Sequence, residues 1–111
     1  MNKYEKYAMI SQPMRGLSDE HIKAVRDKAA EDLKSDGYNV INTYFSPDTP
    51  HTEVKHDDIF WLAESILRMS KCDAVYFCAD WQKYRGCRIE HEIAEQYGLK
   101  IMYQESMPAE A

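Results

Sequence analysis

Residues 72–102, CDAVYFCADWQKYRGCRIEHEIAEQYGLKIM, contain in one stretch a strand, a loop, a helix and the start of another strand. Asp73-Ala74-Val75-Tyr76-Phe77-Cys78 is a short, nearly unbroken run of strand-forming residues, the pattern of a strand buried on both faces of a parallel sheet. The polar segment Ala79–Arg85 comes next, and Gly86 leads into residues 87–97, where Ile89, Ile93 and Tyr97 recur at helical spacing. Gly98 stands where a helix C-terminus is expected. A strand–loop–helix–strand unit has a right-handed crossover, which puts the loop at the carboxyl end of a parallel sheet. Open α/β folds form their crevice there. Glu90, in the first turns of this helix, is expected to face that crevice and, near a helix amino terminus, to be held ionised.

Working outward, Lys6–Ser11 reads as a first strand closed by Gln12-Pro13, because proline cannot extend a central strand. Ser18 is the expected N-cap of a helix whose stripe is Ile22, Val25, Ala29 and Leu33, and Gly37 ends it. Residues 38–42 read as a second strand. The segment 43–55, with Pro47 and Pro50, is too long for a plain connector and suggests a lid or a subunit contact. A second helix is expected from Asp57 to about residue 70, with Ile59, Leu62, Ala63, Ile66 and Met69 inward, and 100–103 forms the closing strand. The expected fold class is α/β: a small Rossmann-like three-layer sandwich with a mainly parallel sheet of at least four strands. Its strands are placed at 6–11, 38–42, 73–78 and 100–103, and its helices at 18–36, 57–70 and 86–97.

At 111 residues and 13.0 kDa the chain has room for one domain, placed at 1–104, and a polar tail, 105–111. A net charge of −5 and a pI near 5.3 offer no broad electropositive surface for a nucleic-acid polymer, though a few arginines can hold a small anion. The three cysteines lack the spacing of a secreted scaffold, the amino terminus lacks a signal-peptide pattern, and no apolar run approaches the ~18 residues of a membrane span. A cytoplasmic protein with reduced thiols and no membrane partner is the expectation. Cys87 and His91, at i and i+4, form at most half of a metal site, so no metal is expected.

Gly86-Cys87-Arg88-Ile89-Glu90-His91-Glu92-Ile93-Ala94 resembles the Gly-Thr-x-x-Glu-x-x-x-Ala segment of the nucleoside 2-deoxyribosyltransferase superfamily, and Cys72-Asp73-Ala74-Val75 resembles its preceding Ala-Asp-hydrophobic strand. Ser11-Gln12-Pro13-Met14-Arg15-Gly16 resembles the loop after the first strand in those transferases and in the related deoxynucleoside 5′-phosphate N-hydrolases. The pattern is most specific at 8–16 and 72–98 and is most similar to small bacterial and phage members of the superfamily. The resemblance implies a catalytic glutamate, Glu90, attacking the anomeric carbon of a nucleoside or nucleotide. It also implies a substrate site at Ser11, Arg15, Gly16 and Gly86, to which the chemistry of the loop residues adds Asp80, Trp81 and Arg88, with no cofactor, and a homodimer or dimer of dimers. Arg15 is placed to reach a phosphate or hydroxyl, and Trp81 and Tyr84, in the polar loop, are placed either to stack on a base or to serve as a buried anchor or subunit contact. The chain departs from the pattern twice: Ser65 stands where the transferases carry an acid, and Tyr84-Arg85-Gly86 replaces Asp-x-Gly, leaving Asp80 to contact a sugar hydroxyl. A non-catalytic nucleotide-binding module is the alternative.

Overall fold

The computed structural model describes residues 5–45 and 50–105, so the ends of the chain and part of the long loop lie outside the described residues. The order is β1 (Lys6–Ser11), α1 (Asp19–Ser35), β2 (Tyr38–Ile41), α2 (Asp57–Met69), β3 (Ala74–Phe77), α3 (Arg85–Gln96) and β4 (Lys100–Tyr103). A 3₁₀ turn, Trp81–Lys83, lies between β3 and α3. The four strands form one parallel sheet in the order β2-β1-β3-β4, the small Rossmann-like α/β architecture expected.

Strand alternation sorts the core into two layers. Ala8, Ile10, Ala74, Tyr76 and Cys78 face α1 and meet Val25, Ala29 and Leu33. Met9, Val75 and Phe77 face the opposite way and meet Met69 of α2 and Ala94 of α3. Ser11, two residues beyond Met9, therefore points to the α2/α3 side. The chain passes from one side of β1 to the other between β2 and β3, so the carboxyl ends of β1 and β3 flank the switch point where a crevice opens.

Local chemistry accounts for the ends. The Ser18 hydroxyl accepts from His21 N at 3.1 Å, as an N-cap should, and Gly37 and Gly98 close α1 and α3 with φ of 86° and 72°. Asp73 ties the amino end of the sheet, its carboxylate accepting from Tyr7 N at 2.8 Å, far from the crevice.

Two expected faces differ. In α3 the buried residues are Cys87, Glu90 and Ala94, while Ile89 is exposed and Tyr97 is 81 % exposed. The stripe is rotated because α3 packs over the sheet through Ile93 and Ala94. In α2 only Met69 is fully buried and Ile59 is 63 % exposed, since the helix touches the sheet at its carboxyl end and rises over the crevice at its start. Among the described residues, no helix is long and apolar enough to cross a membrane.

Candidate functional site

A cleft of about 1090 Å³ opens at the carboxyl ends of β1 and β3. Each wall comes from residues just past a strand end: Gln12 and Arg15 after β1, Thr43 and Phe45 after β2, Arg85, Gly86 and Glu90 after β3. The start of α2 adds Asp58, Trp61 and Ser65. Because every helix starts at this edge of the sheet, residues remote in sequence converge here.

Glu90 forms the floor. It is only 6 % exposed, and the Ser11 hydroxyl donates to its Oε1 at 2.7 Å. Burial pushes its carboxyl up to about 7, against the pull of the Ser11 and Ser65 hydroxyls, which favour the charged form. The expectation of a carboxylate held ionised by the helix terminus is thus corrected. Glu90 lies in the second turn of α3, past the free amides of the first turn, and desolvation dominates. Ser65, standing where an acid was expected on the resemblance, faces the same carboxylate. Cys87 is also buried, and desolvation raises its thiol to about 11, so it is not a nucleophile at neutral pH.

The rim is cationic in a chain that is acidic overall. Arg15, Lys55, Lys83, Arg85 and Arg88 line the cleft against Asp57, Asp58 and Glu90. Arg15 and Arg85 both donate to the same oxygen, Asp58 Oδ2, at 3.3 and 3.1 Å. The Arg88 guanidinium is turned back onto the Gln82 carbonyl at 3.0 Å. An added Cβ at Gly86 meets nothing within 4 Å, so the backbone there borders open space.

Phe45 and Trp61 also line the cleft, stacked with centroids 5.7 Å apart, and the Arg68 guanidinium lies 4.5 Å over the Phe45 ring. Phe60 meets the Trp61 ring edge-on at 4.8 Å, so the wall is a cluster of rings with one guanidinium packed on it. One polar group nearby lacks a partner among the described residues. Gln12 is 7 % exposed; its Nε2 donates to the Ile22 carbonyl at 2.5 Å, which fixes the amide orientation, and its Oε1 is buried with no hydrogen bond.

Of the expected site residues, Ser11, Arg15, Gly86, Arg88 and Glu90 come together. Asp80, Trp81 and Gly16 do not line the cleft. Asp80 takes a left-handed conformation, φ 69°, and pairs with Lys83 at 3.4 Å on the surface. That turn swings Trp81 over the middle of α3, on the side facing β4, where it stacks on His91 with centroids 4.0 Å apart. His91 Nε2 lies 2.6 Å from the Tyr103 hydroxyl, so this group forms a packed aromatic cluster of its own. Gly16 serves the turn after Arg15, with φ of 80°. Asp58, Gln12 and the Phe45–Trp61 wall were not identified as site residues. The signal for them is topological: residues just after a parallel strand, or at the start of the next helix, gather at one edge.

Among the described residues, no group of three His, Cys, Asp or Glu side chains is disposed to hold a metal ion. No curated protein and no solved structure matches the chain. A family model does match, over residues 6–103, a span running from the first residue of β1 to the last of β4 and holding every residue of the cleft. The chain belongs to that family, described as a domain of unknown function, DUF4406.

Proposed function

We propose that the domain binds a nucleoside or nucleotide in this cleft and cleaves or exchanges its N-glycosidic bond through Glu90. The observation that carries the reading is a buried carboxylate, poised near neutrality and hydrogen-bonded by Ser11 at 2.7 Å, at the floor of a cleft lined by both cations and stacked rings. A base fits against the Phe45–Trp61 face, an anionic group at the arginines, and the anomeric carbon over Glu90. An ionised Glu90 oxygen forms a bond to that carbon as the carbon–nitrogen bond breaks. The bonding pair leaves with the base, which takes up a proton. Water or a second base then attacks the glycosyl ester and restores the carboxylate. The resemblance in the Gly86–Ala94 and Ser11–Gly16 segments supports the same chemistry.

One observation favours a second reading. Ser65 replaces the expected acid, Asp58 is held by two arginines, and the groups acting on Glu90 are the two hydroxyls of Ser11 and Ser65 rather than a second carboxyl. A nucleotide-binding module without turnover fits that arrangement.

The deciding experiment incubates the protein and Glu90→Gln with a panel of nucleosides and nucleotides and tracks released base by chromatography and binding by calorimetry. Release by the wild type and none by Glu90→Gln, with binding retained, is the expected result. Binding without release by the wild type selects the second reading, and no binding at all refutes both.

A further inference from the structure

The two arginines at the mouth of the cleft are not waiting empty. Arg15 lies just after β1, Arg85 opens α3, and Asp58 is the second residue of α2, so three separate elements meet at one carboxylate oxygen, at 3.3 and 3.1 Å. All three side chains are largely exposed, at 78, 66 and 63 %. Ion pairs this exposed contribute little to stability, so holding the fold together does not account for the arrangement. Charge does not balance either: two guanidinium groups share one carboxylate, and a net positive charge remains.

We infer that Asp58 is an internal competitor for an anion site formed by Arg15 and Arg85, and that it sets which anions enter the cleft. Its carboxylate occupies the place of the ligand's anionic group. A ligand must displace it, and the apparent affinity of every anion falls by the fraction of time the arginines are free of Asp58. A monoanion only repeats what Asp58 supplies. A phosphomonoester dianion offers several oxygens, can take a separate forked donor from each arginine, and neutralises both charges. Asp58 thereby excludes carboxylates and other weak anions and leaves the cleft open to phosphorylated ligands. When it is displaced, the start of α2 loses its tie to the other two walls. The inference deepens the nucleotide reading above and rests on it only for the identity of the natural ligand.

The test is titration of inorganic phosphate at pH 8 into the wild type, Asp58→Asn and Asp57→Asn, monitored by calorimetry and by the arginine side-chain resonances. Asp57 lines the same cleft and contacts neither arginine, so its variant makes the same change in net charge without releasing the pair. Asp58→Asn is expected to bind phosphate about tenfold more tightly, the effect of removing two exposed ion pairs, with the Arg15 and Arg85 signals shifting together. Asp57→Asn is expected to change affinity less than about twofold. Asp58→Ser, which also suits a helix start, provides the same comparison if the asparagine variant folds poorly. Equal effects of the two asparagine variants, or no gain in Asp58→Asn, overturn the inference. If phosphate tightens as expected while no protein releases base from any nucleotide, the gating role stands and the glycosidic reading fails.

Discussion

The hydroxyl of Ser11 donates to Oε1 of Glu90 at 2.7 Å, joining the last residue of β1 to a side chain 79 positions later in α3. Both groups are buried, and the bond favours the charged carboxylate against a desolvation that outweighs it. The site therefore holds a group whose charge is decided by small changes around it.

The first consequence concerns stability. A carboxyl raised from 4.5 to about 7 by folding stabilises the native state fully below pH 4.5 and loses that contribution as pH rises through 7. The span corresponds to roughly 3 kcal/mol. Glu90→Gln keeps the shape and removes the titration. It should melt at least ~5 °C above the wild type at pH 8 and match it closely at pH 4.5. Melting curves of both proteins across that range check the sign, and a variant less stable at pH 8 contradicts it.

Ser11→Ala removes a donor that lowers the Glu90 value, so the carboxyl should titrate above 7 in that variant. The carbon-13 signal of the Glu90 carboxyl, recorded against pH, reports the midpoint directly. Where base release is observed, the nucleophile must be ionised. Activity should then fall as pH drops below about 7 in the wild type, and Ser11→Ala should move that limb upward.

Ser65→Asp puts a second carboxyl beside Glu90. Two acids in one buried space share a proton, so the pair should titrate in two separated steps rather than one. If the leaving base lacks only a proton donor, release should rise at least ~100-fold in this variant. An unchanged rate would show that protonation is not what limits turnover.

Self-association is the fourth expectation. Ile59 is 63 % and Leu67 55 % exposed on α2, a helix of which only Met69 is fully buried, and Tyr44, shortly after β2, is 49 % exposed. A symmetric pair burying this face would also close the open side of the cleft. Light scattering at micromolar concentration should give a mass near twice or four times 13.0 kDa. A mass of one chain rejects the dimer, leaving Phe45, Phe60 and Trp61 as a wall of their own domain.

The fold was largely legible because the signals were local. Each expected strand and helix end lies within one residue of the observed one, since Ser18, Gly37, Gly98 and the apolar runs mark them directly. The buried faces of α2 and α3 were less legible. Ile59, Ile89 and Tyr97 have helical spacing but sit outward, because the tilt of a helix over a four-stranded sheet is a tertiary property. Glu90 was placed at the crevice, where it lies, but its electrostatics were mistaken, since burial depends on what lies opposite, and Ser11 and Ser65 come from distant parts of the chain. Trp81 was misplaced by a single left-handed residue, Asp80, whose conformation no periodicity reveals.

The strand order also determines when the molecule can first exist. β1 takes its partner on one edge from β2, the next strand in the chain, but the partner of its other edge, β3, comes more than sixty residues later. Until β3 is available, the Ala8–Ser11 edge of β1 has no partner, and an unpaired strand edge of this kind is a template for other chains. Glu90 emerges later still. A chain ending before α3 therefore lacks Glu90, and one ending before β3 also leaves that edge of β1 without its partner.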